Sequence, residues 1–263
     1  MHHITSLQNP EIKELISLRT SRKRRRAETI LVEGEREIRR ALLCGFNATH
    51  IYWCPEKISD PARQILEELN YARNRSLSEA CYEKVAIRDD SDGIIVLFKE
   101  DLKIQEEKFH SKDHKVVLIL DHIEKPGNVG ALLRSADGSG VNAVIVIGGC
   151  DTFSANTIRT SLGTVFHLPI QNMTLQQCAD WCKAKALHII LADPGPSAVP
   201  YHNIDWSKPA ALVIGNEAKG LSNFWKNISD TTSATIPMRG IADSLNASVA
   251  GAIMMYEATK HLK

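Results

Sequence analysis

Three groups of residues in the C-terminal half of the chain have the types and spacing of a binding or catalytic site. They are Asn128-x-Gly130-x-x-x-Arg134 (motif 1), Gly215-Asn216-Glu217-x-x-Gly220-Leu221 (motif 2), and Ile236-Pro237-Met238 with Ser244-Leu245-Asn246-x-Ser248 (motif 3). Glycine permits close approach to the main chain, and the Asn, Glu, Ser and Arg side chains supply hydrogen bonds and charge. Each motif follows the end of a predicted strand, where open α/β sheets bind their ligands.

Each motif also has a structural interpretation that the sequence leaves open. Asn128 and Ser244 are of types that cap helices, Arg134 could lie on a helix surface, and the glycines could form turns. The spacing does exclude two familiar nucleotide sites, because no G-x-G-x-x-G follows a predicted strand and no G-x-x-x-x-G-K-[ST] occurs. A dinucleotide oxidoreductase and a P-loop enzyme are therefore disfavoured.

The elements that must position these motifs are predicted by the apolar pattern. Continuous apolar runs, typical of parallel strands buried on both faces, occur at 116–120, 143–147, 187–191 and 211–214. Helical patterns lie between and after them, at 129–135, 175–186 and 249–261. This alternation of strand and helix predicts an α/β fold with a doubly wound parallel sheet.

The N-terminal part of the chain is predicted to form a smaller α/β unit. Strands are expected at 29–32, 50–53 and 93–98, and helices at 11–18, 35–43 and 61–69. Residues 99–115 are mostly charged and separate two apolar-rich halves. We therefore divide the chain into a domain at 1–107, a linker at 108–115 and a domain at 116–263.

Positive charge is concentrated near the N-terminus, although the whole chain carries a formal net charge of only +1. Residues 1–26 contain seven Lys and Arg against two Glu, and five of the cations form the run Arg22, Lys23, Arg24, Arg25 and Arg26. A focused positive spot of this kind suits contacts with phosphates. The alternative that charge alone leaves open is a solvated basic turn.

Length and composition exclude several protein classes. The 263 residues suit one large domain or two smaller ones, and 43% hydrophobic with 24% charged residues exclude wholesale disorder. No apolar run is long enough for a membrane helix and no secretory signal is present, so we expect a cytoplasmic protein with no membrane partner. The six cysteines and ten histidines lack metal-ligand spacing, so we expect no metal and no disulfide.

In this order, the three motifs closely resemble those of the SpoU/TrmH family, the S-adenosylmethionine-dependent RNA ribose 2′-O-methyltransferases. The run Leu31-Val32-Glu33-Gly34-Glu35 is similar to the opening of that family's N-terminal substrate-binding domain. The resemblance covers nearly the whole chain, more weakly over the first 107 residues. It departs at Ala218, where the family often has Gly, and at Ala247, where Val is common. The Cβ of Ala218 would add about 1 kcal/mol of strain only if φ there is positive.

The resemblance implies a fold that periodicity does not predict. The catalytic domain would be a SPOUT-like parallel sheet whose C-terminal segment, 210–263, forms a deep trefoil knot, preceded by a small α/β RNA-binding domain. The cofactor would bind in the knotted loops, and the protein would act as a homodimer through this domain. Knots are so rare that no sequence pattern would predict one.

The resemblance also implies roles for individual residues. S-adenosylmethionine would be bound at Gly215, Ile236 and Leu245. Arg134 would be the central catalytic residue, either as base on the 2′-hydroxyl or, since a guanidinium is hardly ever neutral, as an electrostatic helper. The other catalytic positions, which would shape the pocket and orient Arg134 or the ribose, are Asn128, Glu217, Ser244 and Asn246. The basic run Arg22–Arg26 would bind RNA, and the activated sulfonium would require no metal.

The expected reaction is 2′-O-methylation of a ribose in RNA, and the separate N-terminal domain favours ribosomal RNA. Three alternatives remain: a tRNA ribose methyltransferase, a catalytically idle RNA-binding or ribosome-assembly protein of the same fold, and an enzyme acting on a small molecule. The joint presence of Arg134, Glu217, Ser244 and Asn246 argues against an idle protein. The basic run and the additional domain argue against a small-molecule substrate.

Overall fold

The computed structural model describes residues 2–110 and 113–260, apart from the side chains of residues 102 and 103. They form two compact units. The N-terminal unit comprises the chain up to Ile104 together with Asp151–His167. The C-terminal unit comprises Gln105–Cys150 and the chain from Leu168 onward.

The secondary structure alternates between strands and helices along most of the chain. The strands are β1 (His2–Ile4), β2 (Thr29–Glu33), β3 (Ala48–Trp53), β4 (Arg73–Leu77), β5 (Ile94–Lys99), β6 (Val116–Asp121), β7 (Ala143–Ile147), β8 (Ile170–Asn172), β9 (His188–Ala192), β10 (Val199–Pro200), β11 (Ala210–Gly215) and β12 (Thr231–Thr235). The helices are α1 (Pro10–Leu18), α2 (Ser21–Ala27), α3 (Glu35–Leu43), α4 (Asp60–Glu68), α5 (Glu79–Val85), α6 (Leu102–His110), α7 (Pro126–Ser139), α8 (Ala155–Thr160), α9 (Leu175–Ala184) and α10 (Ala247–Thr259).

The sheet of the C-terminal unit is entirely parallel, which confirms the prediction from the apolar runs. Its strand order is β10-β12-β9-β11-β6-β7-β8. The chain builds outward from β6 in one direction through β7 and β8, and later adds β11 on the other side of β6. The carboxyl ends of β6 and β11 therefore meet at the point where the strand order reverses, and Gly215 pairs there with Asp121.

Burial explains why the predicted strands of this sheet are continuously apolar. Every residue of β6 and of β7 is buried. Helices α7 and α10 pack against each other, and α10 also packs on β11. Since both faces of the central strands are covered, no polar alternation appears in their sequences.

The N-terminal unit has a smaller mixed sheet of order β1-β4-β3-β5-β2. Strands β1, β4 and β3 are parallel, whereas β5 runs antiparallel to β3 and to β2. The predicted strands appear as β2, β3 and β5. Strands β1 and β4 were not predicted, because β4 (RNRSL) has only one large apolar residue, Leu77. Among the described residues, no helix has the length and apolar character needed to cross a bilayer.

The predicted linker at 108–115 is partly helical. Helix α6 continues to His110, and Phe109 is fully buried with its ring centroid 5.1 Å from that of Trp181. Residues 111 and 112 lie outside the described residues. The start of the predicted linker, 108–110, is therefore the end of a packed helix.

A second boundary also differs from the sequence-based division. Residues 151–167 group with the N-terminal unit, whereas the sequence assigned them to the second domain. The rings of Phe153 and Phe166 lie 6.1 and 5.0 Å from that of Phe46. An aromatic cluster between distant parts of the chain thus decides where this segment belongs, and local pattern does not reveal it.

Candidate active site

A cavity of about 510 Å³ opens at the carboxyl edge of the sheet in the C-terminal unit. Its wall is formed by the ends of β9, β11 and β12, the start of α7, and the chain from Ile236 into the first turns of α10. Open parallel sheets bind ligands at this edge. The volume falls within the range of roughly 300–1,000 Å³ that small-molecule sites occupy.

Motif 2 forms a tight loop after β11. A Cβ on Gly215 would lie 2.6 Å from the carbonyl carbon of Gly220 and 2.6 Å from the nitrogen of Leu221, so no side chain fits. Gly220 has φ +70°, where glycine carries no penalty, and its N–H donates to the carbonyl of Asn216 at 2.9 Å. The Asn216 side chain accepts the N–H of Ala218 at 3.0 Å. Glycine at 215 therefore lets the two ends of the loop approach each other closely, and the loop lines the cavity through Gly215, Asn216, Glu217 and Gly220.

Side chains from all three motifs meet in one chain of hydrogen bonds. Asn128 Nδ2 donates to Glu217 Oε1 at 2.7 Å, and Asn246 Nδ2 donates to Asn128 Oδ1 at 3.2 Å. The Glu217 carboxylate also accepts the N–H groups of Glu124 and Lys125 at 3.4 and 3.3 Å. We call Asn128, Glu217 and Asn246 the motif network. Because Asn128 donates to one partner and accepts from the other, the network fixes the three motifs relative to one another.

The environment of Glu217 favours its ionised form. Partial burial acts to raise the pKa of this carboxyl, but hydrogen bonds from its own N–H, from Asn128 and from the N–H groups of Glu124 and Lys125 outweigh burial and lower the pKa. An ionised carboxylate only accepts hydrogen bonds. Glu217 thus holds the loops together and brings negative charge to the cavity wall.

Motif 3 ends in the first turn of α10. Asn246 is the N-cap of this helix, and its Oδ1 accepts the N–H and the hydroxyl of Ser248 at 2.8 and 2.6 Å. Ser244 is exposed on the cavity wall, and Asn128 lies inside the first turn of α7. Neither Asn128 nor Ser244 is therefore a helix N-cap, which was the structural alternative for both residues. Asn246 instead caps α10, and it also belongs to the motif network.

Most of the predicted catalytic and cofactor-binding residues line this one cavity: Asn128, Gly215, Glu217, Ile236, Ser244, Leu245 and Asn246. Arg134 does not line it. It is exposed on α7, with no hydrogen bond or ion pair to another described residue. The substitution at Ala218 introduces no backbone strain, because Ala218 is not among the described residues with positive φ.

Several residues of the site were not among the predicted catalytic or cofactor-binding residues. Lys125 and Asp243 bring opposite charges to the cavity wall, and Met254 lies on its apolar side. Asn216 Nδ2 donates to the carbonyl of His122 at 2.8 Å, which ties motif 2 to the chain after β6. Asn216 stands inside motif 2, so the motif carried a signal for it. Asp243 and Met254 carried none, because only tertiary packing brings them to the cavity.

The lining fits S-adenosylmethionine. The side chains of Ile214, Leu245 and Met254 offer an apolar surface for an adenine, and the loop at Gly215 offers peptide groups. The carboxylates of Glu217 and Asp243 suit a cationic ligand. No three His, Cys, Asp or Glu side chains in the described part of the chain are grouped so that they could hold a metal ion.

The predicted RNA-binding run forms helix α2 of the N-terminal unit. The side chains of Arg22, Lys23, Arg25 and Arg26 are exposed, as phosphate contacts require. A helix, and not a turn, therefore displays these four cations to solvent.

The assignment of Arg24 to RNA binding is wrong. Arg24 is only 2% exposed, and its Nε and Nη2 donate to the two carboxylate oxygens of Asp151, each at 2.7 Å. Its Nη1 donates to Glu100 at 2.7 Å, and its guanidinium lies 5.9 Å from the ring centroid of Phe153. A guanidinium that is buried and hydrogen-bonded through all three of its nitrogens is out of reach of a phosphate, so Arg24 attaches α2 to its own unit.

Two family models match successive parts of the chain. Residues 115–256 match the SpoU rRNA Methylase family, and residues 9–96 match the MRM3-like substrate binding domain. The first match contains all three motifs and the whole cavity lining.

Individual relatives match over almost the full length. The 23S rRNA (guanosine(2553)-2'-O)-methyltransferase RlmP of Bacillus subtilis (strain 168) is 29% identical over 97% of this chain and 98% of its own. A crystal structure of an RNA 2'-O ribose methyltransferase has a TM-score of 0.85 at 35% identity and covers 98% of both chains. The AdoMet-bound rRNA methyltransferase from Sinorhizobium meliloti has a TM-score of 0.85 at 27% identity, over 99% of this chain and 98% of that one.

The motifs, their assembly around one cavity and these matches all lead to the same family. The chain belongs to the SpoU rRNA methylase family, whose members are RNA 2′-O-ribose methyltransferases that use S-adenosylmethionine.

Proposed function

We propose that this protein methylates the 2′-hydroxyl of a ribose in large-subunit ribosomal RNA, in the cytoplasm. The observation that carries the proposal is the motif network, which unites the three family motifs around one cavity. The Bacillus subtilis relative, similar over nearly the whole of both chains, is named for this reaction on 23S rRNA.

The cavity residues hold the cofactor, which supplies an electrophilic methyl group on a sulfonium centre. Gly215 presents backbone without a Cβ, and Ile236 and Leu245 supply peptide groups and apolar side chains for the adenine. The carboxylate of Glu217, held ionised by its hydrogen bonds, balances the positive charge of the ligand. Holding the cofactor and the ribose in place lowers the activation free energy of methyl transfer by about 7 kcal/mol or more.

Arg134 acts on the ribose hydroxyl in this proposal. Its guanidinium has no hydrogen-bond partner among the described residues, so its N–H donors are available to RNA. In one form of the step, an RNA phosphate first takes a proton from the guanidinium, which then accepts the proton of the 2′-hydroxyl. In the other, the guanidinium stays cationic and stabilises the developing alkoxide, while the phosphate accepts the hydroxyl proton. Asn128, Ser244 and Asn246 orient the ribose or Arg134 from the cavity wall.

The N-terminal unit binds the RNA substrate. The exposed cations Arg22, Lys23, Arg25 and Arg26 contact phosphates, which position the substrate without reading its sequence. The match of residues 9–96 to a substrate binding domain supports this division of roles between the N-terminal and the C-terminal unit. A single-stranded or looped RNA suits the site, because the reacting ribose must enter the cavity.

The proposal includes a homodimer through the C-terminal domain, with residues 210–263 threaded as the family's trefoil knot. Helix α10 (ASVAGAIMMYEAT) has one charged residue, Glu257, and is apolar on all sides. Such a helix is normally buried all round. Yet Val249 and Tyr256 are 47% and 55% exposed in a single chain. A second copy covering this face of α10 would bury both side chains.

The test is transfer of labelled methyl from S-adenosylmethionine to total RNA from cells lacking this protein, followed by digestion to nucleosides. A labelled 2′-O-methylnucleoside in large-subunit rRNA supports the proposal. Label in tRNA would correct the substrate only. Cofactor binding without incorporation into naked RNA or ribosomal particles would contradict the reaction and favour an idle RNA-binding protein.

A further inference from the structure

Asp121 is a buried carboxylate to which the proposed reaction assigns no role. It ends β6, pairs in register with Gly215 at the start of motif 2, and is 0% exposed. Burying a carboxylate costs free energy unless hydrogen bonds compensate for the lost water. Asp121 does not line the cavity, so any contribution to the site passes through other residues.

Both carboxylate oxygens of Asp121 are hydrogen-bonded. Oδ2 accepts the N–H of Ser222 at 2.7 Å and Nε1–H of Trp225 at 3.1 Å. Oδ1 accepts the hydroxyl of Ser222 at 2.8 Å and lies 2.6 Å from Nδ1 of His122. Three of these four bonds come from the chain that directly follows motif 2. The carboxylate therefore joins the end of β6 to that chain.

The motif-2 loop is thus attached near its start to the chain after β6 and beyond its end to the last residue of β6. At the start of the loop, Asn216 donates to the carbonyl of His122, and the Glu217 carboxylate accepts the N–H groups of Glu124 and Lys125. Beyond the loop, Asp121 supplies the second attachment. Because Gly215, Asn216, Glu217 and Gly220 line the cavity, the position of this loop sets one wall of the cofactor site.

We propose that Asp121 is a positioning residue for the binding of S-adenosylmethionine. Its carboxylate anchors the segment 216–225 to the end of β6 and so holds the motif-2 wall of the cavity in its binding position. The inference rests on the proposed function, since that function makes the wall a cofactor wall. The anchor itself can be measured without any cofactor.

The chemistry of the two oxygens predicts a graded response to substitution. In Asp121→Asn, the amide NH2 can replace Oδ1, because both partners on that side can accept: the Ser222 hydroxyl can rotate and His122 can change tautomer. The amide oxygen then still accepts from Ser222 and Trp225. Asp121→Ala removes every bond and leaves the Trp225 donor buried and unpaired. We expect Asp121→Asn to be intermediate between the wild type and Asp121→Ala.

Hydrogen–deuterium exchange tests the anchor directly. Asp121→Ala is expected to increase exchange of the amides at 216–225 by about tenfold or more, while those of β7 change little. Ile119→Val is the matched control, since it removes one buried methylene from the same strand and none of these hydrogen bonds. Equal exchange at 216–225 in Asp121→Ala and Ile119→Val would overturn the proposal. If Asp121→Ala does not fold, Trp225→Phe, which keeps a ring but loses the donor, takes its place with the same prediction.

Cofactor binding and turnover test the consequence. Asp121→Asn is expected to raise the Kd of S-adenosylmethionine about tenfold, as the loss of about 1.4 kcal/mol of binding free energy gives. The rate at saturating cofactor should stay close to that of the wild type. Faster exchange of the amides at 216–225 together with an unchanged Kd of S-adenosylmethionine would overturn the positioning role. A wild-type protein that binds S-adenosylmethionine but methylates no RNA would instead contradict the proposed reaction, and the Kd comparison would still decide the role of Asp121.

Discussion

The guanidinium of Arg134 stands apart from the other predicted catalytic groups, because it lies outside the cavity lining. Its replacement should therefore separate catalysis from cofactor binding. We expect Arg134→Ala to lower single-turnover methyl transfer by about 100-fold or more, as loss of a group that stabilises developing charge does. The Kd of S-adenosylmethionine, measured by calorimetry, should stay unchanged.

Arg134→Lys is the control for this prediction. It retains a positive charge but loses the planar set of donors, so a partial rate indicates an electrostatic role. An Arg134→Ala protein that methylates RNA at the wild-type rate would remove Arg134 from the mechanism.

Glu217 predicts a pH dependence of stability. Its pKa is lowered in the folded protein, below the ordinary value of about 4.3 for an unfolded chain. Its interactions therefore stabilise the fold fully above the unfolded pKa, and that stability is lost as pH falls through the folded pKa. Glu217→Gln should lower the free energy of unfolding at pH 7, and its difference from the wild type should shrink below about pH 4. Urea unfolding at several pH values measures this, and a difference that is constant with pH would count against it.

Among the secondary-structure elements, helix α2 combines one buried cation, Arg24, with exposed ones. Replacing the buried cation should change stability, whereas replacing exposed cations should change RNA binding. Arg24→Met removes the guanidinium that pairs with the buried carboxylate of Asp151 and the partly buried carboxylate of Glu100, so we expect the free energy of unfolding to fall by about 3–5 kcal/mol. The double variant Arg25→Gln/Arg26→Gln should change stability by about 0.5 kcal/mol or less.

For RNA binding, we expect the exposed arginines to matter although their replacement hardly changes stability. For the Arg25→Gln/Arg26→Gln protein, the slope of log affinity against log salt should become shallower by about 0.7 for each phosphate of single-stranded RNA that the variant no longer neutralises. Filter binding at several salt concentrations measures the slope, and denaturant unfolding measures stability. An unchanged slope would make α2 a solvated basic helix with no role in RNA binding.

For the molecule as a whole, the exposed apolar face of α10 predicts self-association. Tyr256→Asp places a charge on that face and should shift the protein from dimer to monomer in sedimentation velocity. Leu43→Asp is a matched control, because Leu43 is 86% exposed on α3 of the N-terminal unit. A wild-type protein that sediments as a monomer, or a dimer that Tyr256→Asp leaves intact, would refute the proposed interface.

Local signals in the sequence were sufficient to predict the parallel sheet of the C-terminal unit and the three motifs that contribute to its cavity. Strands covered on both faces are continuously apolar, and each motif lies within a few residues of a strand end. Motifs 1 and 2 follow β6 and β11, which are neighbours in the sheet, so they meet at one edge. Motif 3 follows β12, which lies beyond β9 and was not among the predicted strands. The central strands were accordingly predicted to within one or two residues, as β6, β7, β9 and β11 show.

The pairings between distant residues, in contrast, became known only from the folded chain. Arg24 was assigned to RNA by its neighbours in sequence, but it bonds to Asp151, and Asp121 finds its partners at Ser222 and Trp225. The periodicity of apolar residues indicates which face of a helix or strand is buried. It does not indicate which distant residue will pair with a buried charged side chain. That choice follows from how the packed elements bring their ends together, because a buried charge must find its compensating partners wherever the fold places them.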